Sequence, residues 1–268
     1  MPSGEKLKRD FIAAPVPDSR DAGDDVWQHP SFLRVLTLIL LIELAVLAWV
    51  VLVSHNHTGM EMTMATGLHF LRDWVAMMVA MMFPTAALVI LAFYRAQAVK
   101  RQPEDAFGST WVFVTAYLLL WALAGIAAYA GMLIAERAAA HSALSRIVAA
   151  HVGGAILLLA GIYQFTPLKQ RCLSECRTPI DMTTWHRDTA GSFRMGLLHA
   201  VYCIGCNWML FAALFPLGMT IKAMAIITLI ILAEKMLPWP RAACYPAGVG
   251  LVLYGALLIA STTSASGP

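Results

Sequence analysis

Seven apolar stretches, most of them close to 20 residues long, constrain the fold of this chain more than any other feature. They run over 33–53, 74–94, 110–134, 147–165, 195–214, 218–236 and 243–262. About 20 apolar helical residues cross the roughly 30 Å hydrocarbon core of a bilayer, and a helix satisfies its own backbone hydrogen bonds in lipid. We therefore predict an all-α fold, a polytopic transmembrane helix bundle with about seven spans and membrane lipid as its surroundings.

The overall composition agrees with this class and excludes several others. Hydrophobic residues make up 59% of the chain and charged residues only 13%, whereas an average soluble domain has about a quarter charged residues. An ordinary soluble enzyme, a disordered chain and a coiled coil are thus excluded. The net charge of +3 is not gathered into one basic block, so no nucleic-acid partner is predicted.

The distribution of basic residues predicts how the bundle is oriented. Residues 1–30 form a polar tail, 31–262 the transmembrane domain with a cysteine-containing loop at 166–194, and 263–268 a short polar tail. Fifteen of the 19 Lys and Arg residues fall on the side of the N-terminus and the 166–194 loop. Because basic residues favour the cytoplasmic side, we predict a cytoplasmic N-terminus and a cytoplasmic 166–194 loop.

The loop predicted between the first two spans is rich in soft metal donors. His55 and His57 precede Met60, Met62 and Met64, and period two places the three methionines on one side of an extended segment. Thioethers suit Cu(I) and imidazole suits Cu(II). These residues indicate copper capture. The alternative is a solvated loop whose methionines rest on the bilayer surface.

A methionine ladder follows at the start of the second span. Met77 stacks over Met81 and Met78 over Met82 if the span is helical. Methionine is also a common filler of helix interfaces. Core packing is therefore the alternative to a ligand role for these four residues.

The fifth span carries the most specific pattern. His199, Cys203 and Cys206 fall within a narrow stripe of a helix. A histidine inside a membrane needs a partner or a role, and thiols are soft ligands. We predict a metal site here, although each residue taken alone is compatible with simple packing.

Two further cysteines lie in the predicted cytoplasmic loop. If Pro167 opens a helix, Cys172 and Cys176 share one face, and the basic residues around them should lower both thiol pKa values. Two thiolates can hold one Cu(I) ion linearly, and the same pair could act in thiol redox chemistry.

Other ionisable residues carry weaker signals. Glu43 and His151 lie within predicted spans, and Glu234 is expected to pair with Lys235 at the membrane interface. The chain has no glycine-rich phosphate loop, nucleophile elbow or zincin motif. Enzyme activity is therefore not predicted.

Three segments resemble a widespread bacterial family of polytopic membrane proteins described as predicted metal-binding. They are Trp74 with the Met77–Pro84 run, the Tyr163–Pro179 segment with Cys172 and Cys176, and the Tyr202–Trp208 segment with Cys203 and Cys206. Many members have a third cysteine where this chain has Asn207. The resemblance implies metal binding and a multi-pass protein of the bacterial inner membrane.

Together these patterns predict a membrane protein that captures Cu(I) and transfers or delivers it across or within the inner membrane. A copper chaperone or other membrane subunits are the expected partners. Two alternatives stay open at this point, an accessory or assembly subunit of a larger membrane complex and a thiol redox membrane protein.

Overall fold

A computed structural model describes residues 28–57, 67–98, 103–141, 146–177 and 189–264, and these residues form eight helices with no strand. The helices are α1 Gln28–His57, α2 Gly67–Ala98, α3 Pro103–His141, α4 Arg146–Tyr163, α5 Pro167–Arg177, α6 Thr189–Leu214, α7 Ile221–Met236 and α8 Pro240–Ser264. The predicted all-α class is thus confirmed. Residues 1–27 and 265–268, which make up most of the two polar tails, and residues 178–188 of the cysteine-containing loop lie outside the described residues.

Four of the described helices are long and apolar enough to cross a membrane. These candidate spans are Gly67–Ala98, Glu104–Arg137, Thr189–Leu214 and Pro240–Ser261, and α4 with α5 adds a fifth if the bent pair counts as one span. The apolar part of α1 is shorter, and the 16 residues of α7 extend about 24 Å at 1.5 Å per residue. A seven-span arrangement and a cytoplasmic N-terminus stay predictions.

The core forms where α2, α3, α6 and α7 meet, with α1 packed mainly against α2. The indole N–H of Trp74 in α2 donates to the Trp121 carbonyl in α3 at 2.9 Å. Gly125 makes room for this indole, because a Cβ atom there would lie 2.5 Å from Trp74 Cδ1. Trp74 is therefore a buried contact between two helices.

The pair formed by α4 and α8 is the most extensive helix contact in the described chain. Gly154 faces Gly255, and Gly161 faces Gly248, so that a Cβ on any of the four would lie within 3.0 Å of the opposing glycine's carbonyl oxygen. Small residues let two helix backbones approach closely, and such close packing favours helix association where the hydrophobic effect does not, as in lipid. The order of the two pairs shows that the helices run antiparallel, and the glycines explain why their backbones are in close contact.

A sharp break separates α4 from α5. Backbone turns at 164–166 end α4, and the two helices meet at a 63° bend. The Lys169 backbone N–H donates to the Thr166 hydroxyl at 3.3 Å, so Thr166 caps the helix that Pro167 opens. The predicted helix start at Pro167 is confirmed, and α5 lies outside the four candidate spans.

The connection between α6 and α7 is short, as the sequence predicts. Gly218 and Met219 have positive φ angles of 73° and 47°, and these turn the chain through the left-handed region. Thr220 then caps α7 by accepting a hydrogen bond from the Ala223 backbone N–H. Because of this turn, α7 begins at Ile221, three residues later than the apolar pattern predicts.

Candidate metal site

Three cysteine side chains from two helices meet in the core. The side chain of Cys176 at the end of α5 lies next to those of Cys203 and Cys206 on α6. Their exposed fractions are 2%, 0% and 0%. We call these three residues the thiol cluster.

Cys203 is the centre of the cluster and has four further neighbours. The Met82 thioether sulfur lies 3.9 Å from its Sγ, and the Tyr117 hydroxyl lies at 3.2 Å. The Lys235 ammonium approaches to 3.3 Å, and the Asn207 side-chain amide donates from 3.7 Å. Residues of α2, α3, α6 and α7 thus converge on one sulfur atom.

Helix geometry accounts for the part of this arrangement that α6 supplies. Residues three apart differ by about 60° around a helix axis, so Cys203 and Cys206 lie on the same side of α6. The Cys206 thiol also donates to the Cys203 carbonyl at 3.3 Å. The predicted stripe is therefore buried on the side of α6 that faces the core.

His199 lies one turn before Cys203 on the same stripe. Its ring lies 5.7 Å from that of Phe113 and 5.6 Å from that of Tyr117, measured between centroids. It is 2% exposed, and neither ring nitrogen has a hydrogen-bond partner within the described residues. Burying such a polar group without a partner costs about 1–3 kcal/mol, which makes an unpaired imidazole beside the cluster unusual.

All four residues of the methionine ladder are buried in the core. Met82 contacts Cys203, whereas Met77, Met78 and Met81 belong to the surrounding hydrophobic core. The ladder therefore meets the thiol cluster at its last residue. A ligand role for the first three residues stays a prediction.

Cys172 is placed differently from Cys176, although both lie on α5. Cys172 is half-buried and lies against α6 at Gly205, where a Cβ atom would be 2.8 Å from its Sγ. Glycine at this position lets the thiol approach the backbone next to Cys206. Cys172 is thus the member of the four cysteines nearest the surface.

The prediction that basic neighbours lower the thiol pKa values is wrong. Burial raises the pKa of Cys172, and a hydrogen bond with Cys203, together with burial, raises the pKa of Cys176 to about 12. The basic side chains are engaged elsewhere. Lys169 pairs with Glu234 at 2.8 Å, and the Arg177 guanidinium donates to backbone carbonyls at the end of α7.

The expected pair of Glu234 with Lys235 is also wrong. Neighbouring residues of a helix point about 100° apart, so Glu234 faces Lys169 on α5 while Lys235 faces Cys203 and the Thr85 hydroxyl. Lys235 and Tyr117, which both contact Cys203, are the members of the site that sequence reasoning missed. For Lys235, the available signal is a lysine close to the C-terminal end of an apolar helix.

The proposed capture loop is only partly within the described chain. His55 and His57 lie in the last turn of α1 and are helical, so the prediction that they lie in the loop is wrong, and their role as copper donors stays a prediction. Met60, Met62 and Met64 lie outside the described residues. Glu43 is exposed on α1, and His151 is partly exposed on α4.

The donors at the thiol cluster are soft, but its three cysteine side chains are not arranged to bind one metal ion together. Among the described residues, no group of three or more His, Cys, Asp or Glu side chains is placed to hold a metal ion. Two thiols with the Met82 thioether are a smaller donor set. Such a set fits a soft ion of low coordination number and does not fit tetrahedral Zn²⁺.

One family model matches the chain over residues 71–258, and that family is described as copper chaperone, PpoB2. The chain belongs to this copper chaperone family. The match covers more than two thirds of the sequence and includes the methionine ladder, all five cysteines and Lys235. It confirms that the family is copper-related, whereas His55 to Met64 lie before the matched region. No curated protein and no solved structure matches the chain.

Proposed function

We propose that this copper chaperone family member is a multi-pass protein of the bacterial inner membrane that binds Cu(I) at the thiol cluster. Cys203 is the shared ligand, either Cys176 or Cys206 completes a pair of thiolates, and Met82 adds a thioether. The observation that carries the proposal is the convergence of three buried thiols and one thioether, with Met82 3.9 Å from Cys203.

Chemistry supports Cu(I) over other copper states and other metals. Thiolate and thioether sulfur are soft ligands and prefer a soft monovalent ion. A buried thiolate is costly unless a cation compensates its charge, and metal binding supplies that cation. His199, with both nitrogens unpaired beside the cluster, is available as a third ligand or as an orienting group.

The order of donors along the chain suggests a route for the metal. In the predicted topology, the outer loop with Met60, Met62 and Met64 captures copper, and the methionine ladder of α2 leads inward. Met82 hands the ion to Cys203. Cys172, half-buried beside Gly205, is the surface thiol through which copper would leave toward a cytoplasmic acceptor.

The first test is a copper titration of the purified, fully reduced protein. Wild-type protein, handled without oxygen, competes with the chelator bicinchoninate for Cu(I), and bound copper is counted per chain. Cys203→Ser with Cys206→Ser should abolish tight binding. Cys244→Ser is the matched control, because this buried cysteine belongs to α8 and lies outside the thiol cluster.

Two results would contradict the proposal. The first is a double variant that binds one copper as tightly as wild type. The second is wild-type protein that carries stoichiometric zinc and no copper.

Changing Met60, Met62 and Met64 together should slow copper loading and leave the stoichiometry almost unchanged, since loop thioethers would capture the ion rather than store it.

A further inference from the structure

The position of Lys235 connects a positive charge directly to the thiol cluster. Its Nζ atom lies 3.3 Å from Cys203 Sγ and 3.3 Å from the Thr85 hydroxyl oxygen. The side chain is partly exposed along its length, and its ammonium end reaches into the core. Glu234, the next residue in the chain, does not neutralise it, because that carboxylate pairs with Lys169.

The positive charge of Lys235 determines which metal complex is electrically neutral when it is buried in the site. One Cu(I) ion held by two thiolates carries a single negative charge, and the Lys235 ammonium cancels it. A divalent ion held by the same two thiolates is already neutral, so the ammonium would leave one positive charge in the core. Uncompensated charge in a buried site is strongly unfavourable.

We infer that Lys235 makes the thiol cluster selective for a monovalent soft cation by balancing the charge of its two-thiolate complex. This inference rests on the proposed function and assigns Lys235 as a positioning and selectivity residue rather than a ligand. Thr85 supports the assignment, because its hydroxyl holds the ammonium beside Cys203.

The test compares metal affinities of wild type with three lysine variants. Lys235→Leu removes the charge without adding a sulfur donor, and Lys235→Arg keeps the charge. Lys222→Leu is the matched control, because Lys222 lies exposed on the same helix α7. Competition titrations with Cu(I), Ag(I) and Zn²⁺ give the three affinities, and thermal unfolding of the detergent-solubilised protein shows whether each variant is folded.

The expected result is a change in selectivity that follows the charge. Lys235→Leu should bind Cu(I) and Ag(I) about tenfold more weakly or worse, since a buried charge then lacks its partner, and should bind Zn²⁺ no more weakly than wild type. Lys235→Arg should preserve most of the preference for monovalent ions, and Lys222→Leu all of it.

The outcomes separate this inference from the proposed function. If wild type binds Cu(I) at the cluster and Lys235→Leu binds it equally or more tightly, charge balance by Lys235 is wrong while the copper site stands. If Lys235→Leu does not fold, a Lys235→Arg protein that loses the monovalent preference overturns the inference. If wild type binds neither Cu(I) nor Ag(I), the proposed function itself fails.

Discussion

The Lys169 ammonium lies 2.8 Å from a carboxylate oxygen of Glu234, and both side chains are fully buried. This ion pair joins α5 to α7. Arg177 adds a second attachment through the Glu234 carbonyl at 3.1 Å. Since Cys176 and Lys235 lie on these same two helices, the ion pair holds one thiol and the ammonium in their places around Cys203.

Breaking this pair should therefore loosen α5 and expose Cys176. Removing one partner of a buried ion pair costs about 3–5 kcal/mol, so Glu234→Gln should lower the midpoint of thermal unfolding. The rate at which maleimide labels Cys176 in the folded protein should rise. Glu175→Gln is the control, because Glu175 is exposed on α5, and equal midpoints for the two variants would show that the pair does not fasten α5.

The difference in burial between the cysteines predicts how they react with thiol reagents. Cys172 is half-buried, whereas Cys176, Cys203 and Cys206 are at most 2% exposed. In folded, metal-free protein one thiol should react quickly, and Cys172→Ser should remove that reaction. Fast labelling that persists in Cys172→Ser would contradict the burial of the cluster.

The same thiol reports on the predicted topology. If α5 is cytoplasmic, a membrane-impermeant maleimide should label Cys172 in inverted membrane vesicles and leave it unlabelled in intact spheroplasts. Labelling in intact spheroplasts would reverse the predicted orientation. Cys176 is unsuitable for this measurement because it is buried in either case.

The close contact of α4 with α8 predicts opposite effects for two similar substitutions. In Gly255→Ala the new Cβ would lie 2.7 Å from the Gly154 carbonyl oxygen, and overpacking of this kind costs about 1–3 kcal/mol. Gly250 lies on the same helix with no atom within 4 Å of a new Cβ. Gly250→Ala should raise stability by about 0.5–1 kcal/mol, since glycine is a poor helix former. Thermal unfolding of both variants measures the difference, and equal midpoints would show that the helices are not in tight contact.

Helix periodicity was enough to predict the parts of the site that lie on one helix. The burial of His199, Cys203 and Cys206 on one side of α6 follows from 100° per residue, and the start of α5 follows from the properties of Pro167. These predictions depend only on local sequence. The number of membrane spans is harder to predict from sequence, because the apolar stretch of α7 has the composition of a span but forms a helix of only 16 residues.

Contacts between helices could not be predicted from this one sequence. Nothing local indicates that Met82 meets Cys203, 121 residues later, or that Cys176 is buried in the thiol cluster while Cys172 stays half-buried. The partner of Glu234 was predicted wrongly because Lys235 is adjacent in sequence, while Lys169, 65 residues away, is adjacent in space. Helix packing determines these pairings, and packing depends on all the helices together.

The contact between Met82 and Cys203 separates a ligand role from simple packing within the methionine ladder. Met82→Leu and Met78→Leu both replace a fully buried methionine with a side chain of similar volume, so each should cost less than about 1.5 kcal/mol of stability. If the Met82 thioether binds copper, Met82→Leu should weaken Cu(I) binding and Met78→Leu should not. The affinity should fall about tenfold if the binding free energy drops by about 1.4 kcal/mol. X-ray absorption at the copper edge should show one sulfur neighbour fewer in Met82→Leu. Equal affinities and equal sulfur counts in the two variants would mean that Met82 packs against the cluster without binding the metal.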